Sequence, residues 1–226
     1  MPTDLPNCAR CPFNAPDRLC QKEGGKAPDF CPTRNMMELA EQSLEEYNNT
    51  PGLFEFARQA SIQESEGYSN KELGYAHLRP VKTRIEEIME FAGKMHYNRL
   101  GIAFCIGLRN EAKIVEKIFS SRAFEVVSAV CKVGRIPKEK IGIGKAHQLS
   151  WDKDEEAMCN PVLQAMILNK AQTDFNVLLG LCVGHDTLFL KYAEAPCTVL
   201  AVKDRLLGHN PLAAVYNADS YYRSLK

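Results

Sequence analysis

Asn176-Val177-Leu178-Leu179-Gly180-Leu181-Cys182-Val183-Gly184-His185-Asp186 reads as a strand that stops at a cysteine, and the rest of the chain falls into place around it. A continuous apolar run bounded by turn residues suits a strand covered on both faces. The chain then turns on Gly184, and Asp186 offers an N-cap for a helix. Open α/β sheets bind ligands at the C-terminal ends of their strands, where this reading puts Cys182, with His185 one turn away. Two further segments end the same way, Gly101-Ile102-Ala103-Phe104-Cys105 and Val126-Val127-Ser128-Ala129-Val130-Cys131.

The alternation of strands and helices from Asn98 onward predicts an α/β domain over residues 98–226. It is a mostly parallel, flavodoxin/Rossmann-like sheet with helices on both faces. Right-handed crossovers bring all the strand ends to one edge. A flavodoxin-like order sets the Cys105 strand between those of Cys131 and Cys182, and neighbouring strands lie ~4.8 Å apart. Cys159 precedes Asn160-Pro161, which read as N-cap and first helical residue, with Gln164 completing a capping box. The positive end of that helix lowers a thiol's pKa and favours the thiolate. Cys131, Cys159 and Cys182 are therefore expected to share a metal or cluster. Cys105 is either a further ligand or a reactive thiol beside it. His185 serves as ligand or acid–base group, or merely packs at the helix start. Lys203, Asp204 and Arg205 stand at the mouth, placed to orient substrate or move protons. Buried free cysteine is common, and Cys197, at a strand's start, is assigned to the core.

The chain has 226 residues, 28 basic and 28 acidic, so it lacks the positive field of a nucleic-acid binder. No apolar run approaches the ~20 residues that span a bilayer, and the N-terminus lacks the basic and apolar regions of a signal peptide. These features place it in the cytoplasm, where thiols stay reduced, so nine cysteines point to metal or redox chemistry rather than disulfides.

Residues 1–34 read as a small metal module, with Cys8-Ala9-Arg10-Cys11 followed by Cys20 and Cys31. Few apolar residues lie between them, and a segment so poor in core needs a staple. Four thiolates satisfy tetrahedral zinc, and the Cys-x-x-Cys pair makes the first corner. An iron–sulfur cluster or free thiols are the other readings, and Asp17 or Asp29 are oxygen donors able to replace Cys20. Residues 35–97 read as a helical segment packed on the sheet, with Met36, Met37, Leu39, Ala40, Leu44 and Tyr47 as a core stripe. A second helix restarts at Thr50-Pro51. A third opens at the capping-box pattern Ser69-Asn70-Lys71-Glu72, and a fourth runs from Thr83 to Tyr97. Residues 132–158 show no periodicity, which suits a functional or mobile loop. Gly142-Ile143-Gly144-Lys145 has the wrong spacing for a phosphate loop, and Asp152 to Glu156 reads as a solvated acidic face.

The chain resembles the domain-of-unknown-function family eighteen-forty-seven, whose members are labelled metal-binding proteins. The matching residues are Phe104-Cys105-Ile106-Gly107-Leu108, Val130-Cys131-Lys132-Val133-Gly134, Cys159-Asn160-Pro161, Gly180-Leu181-Cys182-Val183-Gly184-His185-Asp186, Lys203-Asp204-Arg205 and Gly208-His209-Asn210-Pro211. The N-terminal cysteine cluster is similar as well. The resemblance implies metal binding and supplies no reaction. The expectation is a metalloprotein with an N-terminal structural zinc and a second centre, zinc or [4Fe–4S], at the sheet edge. An open iron there would accept a substrate sulfur. The competing classes are a non-enzymatic metal sensor, carrier or assembly protein, and a metal-free thiol redox protein. The partners expected are metal ions and a small-molecule substrate, not nucleic acid or membrane.

Overall fold

The computed structural model describes residues 5–150 and 155–226 and divides into two units, residues 1–64 and 65–226. Asp152 to Asp154 of the acidic run lie outside the described residues, as do Met1 to Asp4. The division falls inside the stretch read as one helical segment, so its first half belongs with the cysteine module and its second half with the sheet.

Turns build the start of the first unit. A 3-10 turn over Cys8–Arg10 is closed by the Cys11 N–H on the Cys8 carbonyl at 3.2 Å. Arg18 and Lys26 form a parallel bridge, in which Leu19 N donates to the Lys26 carbonyl at 2.9 Å. Gly25 lets the backbones meet there, because a Cβ would lie 2.5 Å from the Arg18 carbonyl carbon. Three helices follow: α1 (Pro32–Asn35), α2 (Met37–Asn49) and α3 (Leu53–Glu66), whose last two residues belong to the second unit. The core stripe expected on α2 does not form. Met37, Leu39 and Leu44 are 54%, 59% and 60% exposed, and no residue of α2 is buried. Periodicity shaped a helix without supplying an element to cover it.

The second unit opens with a two-residue antiparallel pair, β1 (Tyr68–Ser69) and β2 (Arg79–Pro80). The helix expected from Ser69 does not form, and two 3-10 turns, Lys71–Leu73 and Tyr75–His77, stand in its place. Asn70 lies at φ +61° and Gly74 at φ +87°, and a right-handed helix cannot run through such residues. Helix α4 (Arg84–Lys94) has a true capping box, since Glu86 Oε2 accepts from Thr83 N at 2.7 Å and from Thr83 Oγ1 at 2.6 Å.

Four parallel strands follow: β3 (Arg99–Phe104), β4 (Glu125–Val130), β5 (Phe175–Leu181) and β6 (Cys197–Val202), side by side as β4-β3-β5-β6. Their crossovers carry α5 (Arg109–Ser121), α6 (Pro161–Lys170) and α7 (His185–Tyr192), and α8 (Leu212–Tyr216) comes last. The first crossover runs one way along the sheet and the next two run the other. Right-handedness therefore puts α5 on one face and α6 with α7 on the other. Ala103, Ala129 and Leu178 pack with Ala165 and Leu168 of α6 and Phe189 of α7. On the opposite side, Phe91 of α4 and Tyr97 set their rings on Phe175, each 5.7 Å between centroids.

All seven residues of β5 are buried, as an apolar run covered on both faces requires. Each fully buried leucine, valine or phenylalanine contributes roughly 2 kcal/mol. Gly180 breaks the alternation: it sits at φ +67°, the β5–β6 register shifts around it, and Leu181 joins Leu178 in the α6–α7 core. A Cβ at Gly180 would lie 2.1 Å from Leu108 Cδ1. On β6, at the end of the sheet, Arg84 donates to the Val199 carbonyl at 2.9 Å and to Thr198 Oγ1 at 2.8 Å.

The long loop after β4 is closed at its neck. Lys138 N donates to the Glu156 carbonyl at 2.9 Å, and Met158 N to the Ile136 carbonyl at 2.7 Å. The acidic run is not wholly a solvated face, because Glu156 is buried and holds the loop together. Its carboxylate accepts from Lys138 Nζ at 2.9 Å, Leu149 N at 2.6 Å and Ser150 N at 3.3 Å. Among the described residues no helix is long and apolar enough to cross a membrane.

Candidate metal centre

The parallel ladder continues one residue past β3 and β4, and in both that residue is a cysteine. Cys105 N donates to the Leu179 carbonyl at 3.1 Å and Cys131 N to the Phe104 carbonyl at 2.8 Å. Asn160 N donates to the Cys131 carbonyl at 2.7 Å, which ties the Cys159 segment to the end of β4. Asn160 also caps α6, its Oδ1 accepting from Leu163 N at 3.0 Å. Gln164 does not complete a capping box. Fully buried, it reaches back to the sheet and donates through Nε2 to the Ala129 carbonyl at 2.7 Å and the Phe104 carbonyl at 3.2 Å. That amide fixes α6, and hence Cys159, against the ends of β3 and β4.

Cys131 and Cys159 meet. Cys131 is buried, its Sγ accepts from Ile106 N at 3.3 Å, and it is hydrogen-bonded to the Cys159 sulfur. That bond comes first in holding the Cys159 thiol down to about 5. Burial works against it, while the charges of Lys132, His185 and Lys138 assist. The same bond, with burial and the neighbouring Cys105, pushes the Cys131 thiol up. The two sulfurs are thus joined by a hydrogen bond whose direction of effect favours the thiolate at Cys159.

Cys182, past the end of β5, has a different partner: Arg205 Nη2 donates to its Sγ at 3.1 Å. Its strand lies two places from that of Cys131, about 10 Å along the sheet. His185 opens α7, with Gly184 at φ +81° as the turn before it. Asp186 is not the N-cap but sits in the first turn, where its Oδ1 accepts from Thr187 N at 2.8 Å. Lys203 N continues the ladder to the Leu181 carbonyl at 3.1 Å. Asp204 Oδ1 accepts from Leu206 N at 3.0 Å and Leu207 N at 2.8 Å, closing the turn after β6. His209 Nδ1 completes that turn, accepting from Asp204 N at 3.2 Å. Cys197 is half-buried against the α6–α7 core, and burial pushes its thiol up.

In the first unit Cys8, Cys11, Cys20 and Cys31 all line one cavity, with Arg18, Lys26 and Phe30 among its other walls. Neither Asp17 nor Asp29 lines it; Asp29 pairs with Arg34 at 2.8 Å and Asp17 with Lys22 at 3.8 Å. Burial would raise the Cys31 thiol, but the backbone N–H groups of Arg34 and Thr33, the Thr33 hydroxyl and the Arg34 charge outweigh it and leave the thiol lowered. Among the described residues, no three Cys, His, Asp or Glu side chains stand at metal-holding spacing as the side chains lie.

Fold and rim together define an α/β protein with a parallel four-stranded sheet and thiols gathered at the ends of its strands. Residues 31–200 match the model of a family described as "Protein of unknown function (DUF1847)", and the chain belongs to that family. The "Uncharacterized protein MJ0455" of Methanocaldococcus jannaschii is 52% identical over 141 residues, covering 62% of this chain and 69% of that one.

Proposed function

We propose that this is a metal-binding protein with a structural zinc in its N-terminal turns and a soft-metal centre at the sheet edge. The observation that carries the second centre is the Cys131–Cys159 pair, two hydrogen-bonded sulfurs beside a third thiol, Cys105. A thiolate, not a thiol, is the metal ligand, and binding displaces the remaining proton. The donor set is sulfur-rich with His185 near, which suits zinc or a [4Fe–4S] cluster rather than magnesium or calcium. The N–H groups of Ile106 and Arg205 directed at Cys131 and Cys182 are the outer hydrogen bonds that tune thiolate ligands. In this reading Cys131 and Cys159 hold one side of the centre and Cys182 the other. The larger [4Fe–4S] cluster bridges that span by side-chain rotation, and a single zinc does so only with movement of the strand ends. The fourth position is open. Cys105 stands beside it as a thiol facing substrate. At the N-terminus the four thiols lining one cavity support zinc, whose binding free energy closes such turns. The open position makes sulfur chemistry on a small molecule the reaction class.

The test is elemental analysis and an absorption spectrum on anaerobically purified protein, beside Cys182→Ala and Cys197→Ala. Two metal centres per chain are expected, with one lost in Cys182→Ala and none in Cys197→Ala. A colourless chain with a single zinc and a Cys131–Cys159 disulfide overturns the proposal in favour of thiol redox chemistry.

A further inference from the structure

The sheet order places a switch point, where open α/β sheets form their ligand crevice, between β3 and β5. β3 and β5 are neighbours, but their crossovers leave in opposite directions, α5 toward β4 and α7 toward β6. Ligands enter an open α/β sheet at such a switch point, beyond the carboxyl ends of the strands. Lys203 extends into this one. Its Nζ is 3.6 Å from the position a Cβ of Gly107 would occupy and 4.0 Å from that of Gly180. The Cys105 sulfur is 3.9 Å from the same Gly107 position. The ammonium and the thiol therefore flank one point at the end of β3.

Lys203 is half-buried, yet its ammonium makes no hydrogen bond or ion pair with any described residue. The Asp204 carboxylate next to it makes no ion pair with it and turns its Oδ1 to two backbone N–H groups instead. Arg205 adds a second cation at the same rim. A half-buried ammonium without an anion, at the place where the fold takes ligands, calls for one from outside.

We infer that this crevice binds a small anionic molecule, its carboxylate or phosphate group on Lys203 and its reacting end at the Cys105 side of the thiol rim. The inference rests on reading that rim as the working site. It names the substrate class: a compact anion, not an apolar compound or a polymer.

Alkylation of Cys105 tests it. In metal-free, full-length protein, the Cys105 thiolate displaces iodide from iodoacetate, an anion, or from neutral iodoacetamide. Tryptic cleavage isolates Cys105 in residues 100–109, which contain no other cysteine. Both reagents need the same thiolate, so the ratio of their rates is independent of its pKa and reports the local charge. Lys203→Met is expected to lower the iodoacetate-to-iodoacetamide ratio several-fold, as loss of a nearby charge in a partly screened site implies, and Lys203→Arg to preserve it. Propionate and inorganic phosphate are then added as competitors. Protection by propionate alone assigns a carboxylate; protection by phosphate assigns a general small-anion site. An unchanged ratio, protection by neither anion, or a Cys105 that neither reagent reaches overturns the inference. Since no metal is present in the assay, that failure is separate from a failure of the metal assignment, which metal analysis reads.

Discussion

Cys8, Cys11, Cys20 and Cys31 are carried by turns, whereas Cys105, Cys131 and Cys182 follow strands anchored in a closed core. In the first group, Cys8 and Cys20 are exposed and none is buried. Their cavity is held by a few backbone bonds and surface ion pairs, such as Arg34 with Asp29, and exposed pairs contribute little. In the second group the backbone positions are determined by β5, which is buried throughout, and by Gln164 across the strand ends. On the proposed reading the difference assigns metal a separate role at each place: folding free energy in the turns, and chemistry at a sheet edge whose scaffold stands without it.

The largest effect should come from attacking the turns. Chelation, or Cys11→Ser, is expected to remove most of the order in residues 5–34, because zinc contributes ~10 kcal/mol to such modules. Hydrogen exchange over that stretch should rise to unfolded rates while β3, β4 and β5 stay protected. Simultaneous loss of protection in the sheet would erase the contrast.

A smaller effect, confined to the second unit, is expected from Gly180→Ala. The methyl group would meet Leu108 and the backbone would be held at φ +67°, for a loss of about 3 kcal/mol in denaturant unfolding. Glu156→Gln should cost about 2 kcal/mol, since it removes the ionised acceptor that joins Lys138, Leu149 and Ser150. The Lys138 hydrogen bond comes first in holding this carboxyl down to about 2, against the effect of burial. Its stabilisation is therefore complete above the ordinary value of 4.5 and is lost as pH falls toward 2. Acid unfolding of the variant should lack that contribution.

The subtlest test concerns protons. With Cys159 held near 5, mainly by Cys131, its thiolate should react with iodoacetamide down to about pH 5 in metal-free protein, not only near the ordinary value of 9.0. Stability from this thiolate is full above that ordinary value and disappears as pH falls through about 5. Cys131→Ser should move the midpoint upward.

The sheet was readable because its signals are local. An apolar run with flanking turns gives β5 as a buried strand, and the residue after each run places a cysteine at the rim. Asn160-Pro161 similarly announced the start of α6. Failures arose where a side chain's partner is remote or missing. Gln164 stands four residues after Asn160, one past the capping-box position, and its amide goes to carbonyls of β3 and β4, a choice that only the packed sheet offers. Glu156 sits in an acidic run, but Lys138 and two loop N–H groups draw it inward. Ser69-Asn70-Lys71-Glu72 has the pattern of a capping box, but Asn70 lies at φ +61°, just past the β1 strand, where a right-handed helix cannot start. Met37, Leu39 and Leu44 have a helix period without a covering element. Arg205 donating to Cys182 joins residues brought together only by the β5–β6 pairing.

The most direct measurement is X-ray absorption on protein whose N-terminal site has been silenced by Cys11→Ser and Cys20→Ser, so that any remaining metal reports the sheet edge. The expected first shell is dominated by sulfur at about 2.3 Å and is lost on adding Cys131→Ser with Cys159→Ser. A silenced protein that retains no metal, or holds it through oxygen and nitrogen alone, would contradict the central claim.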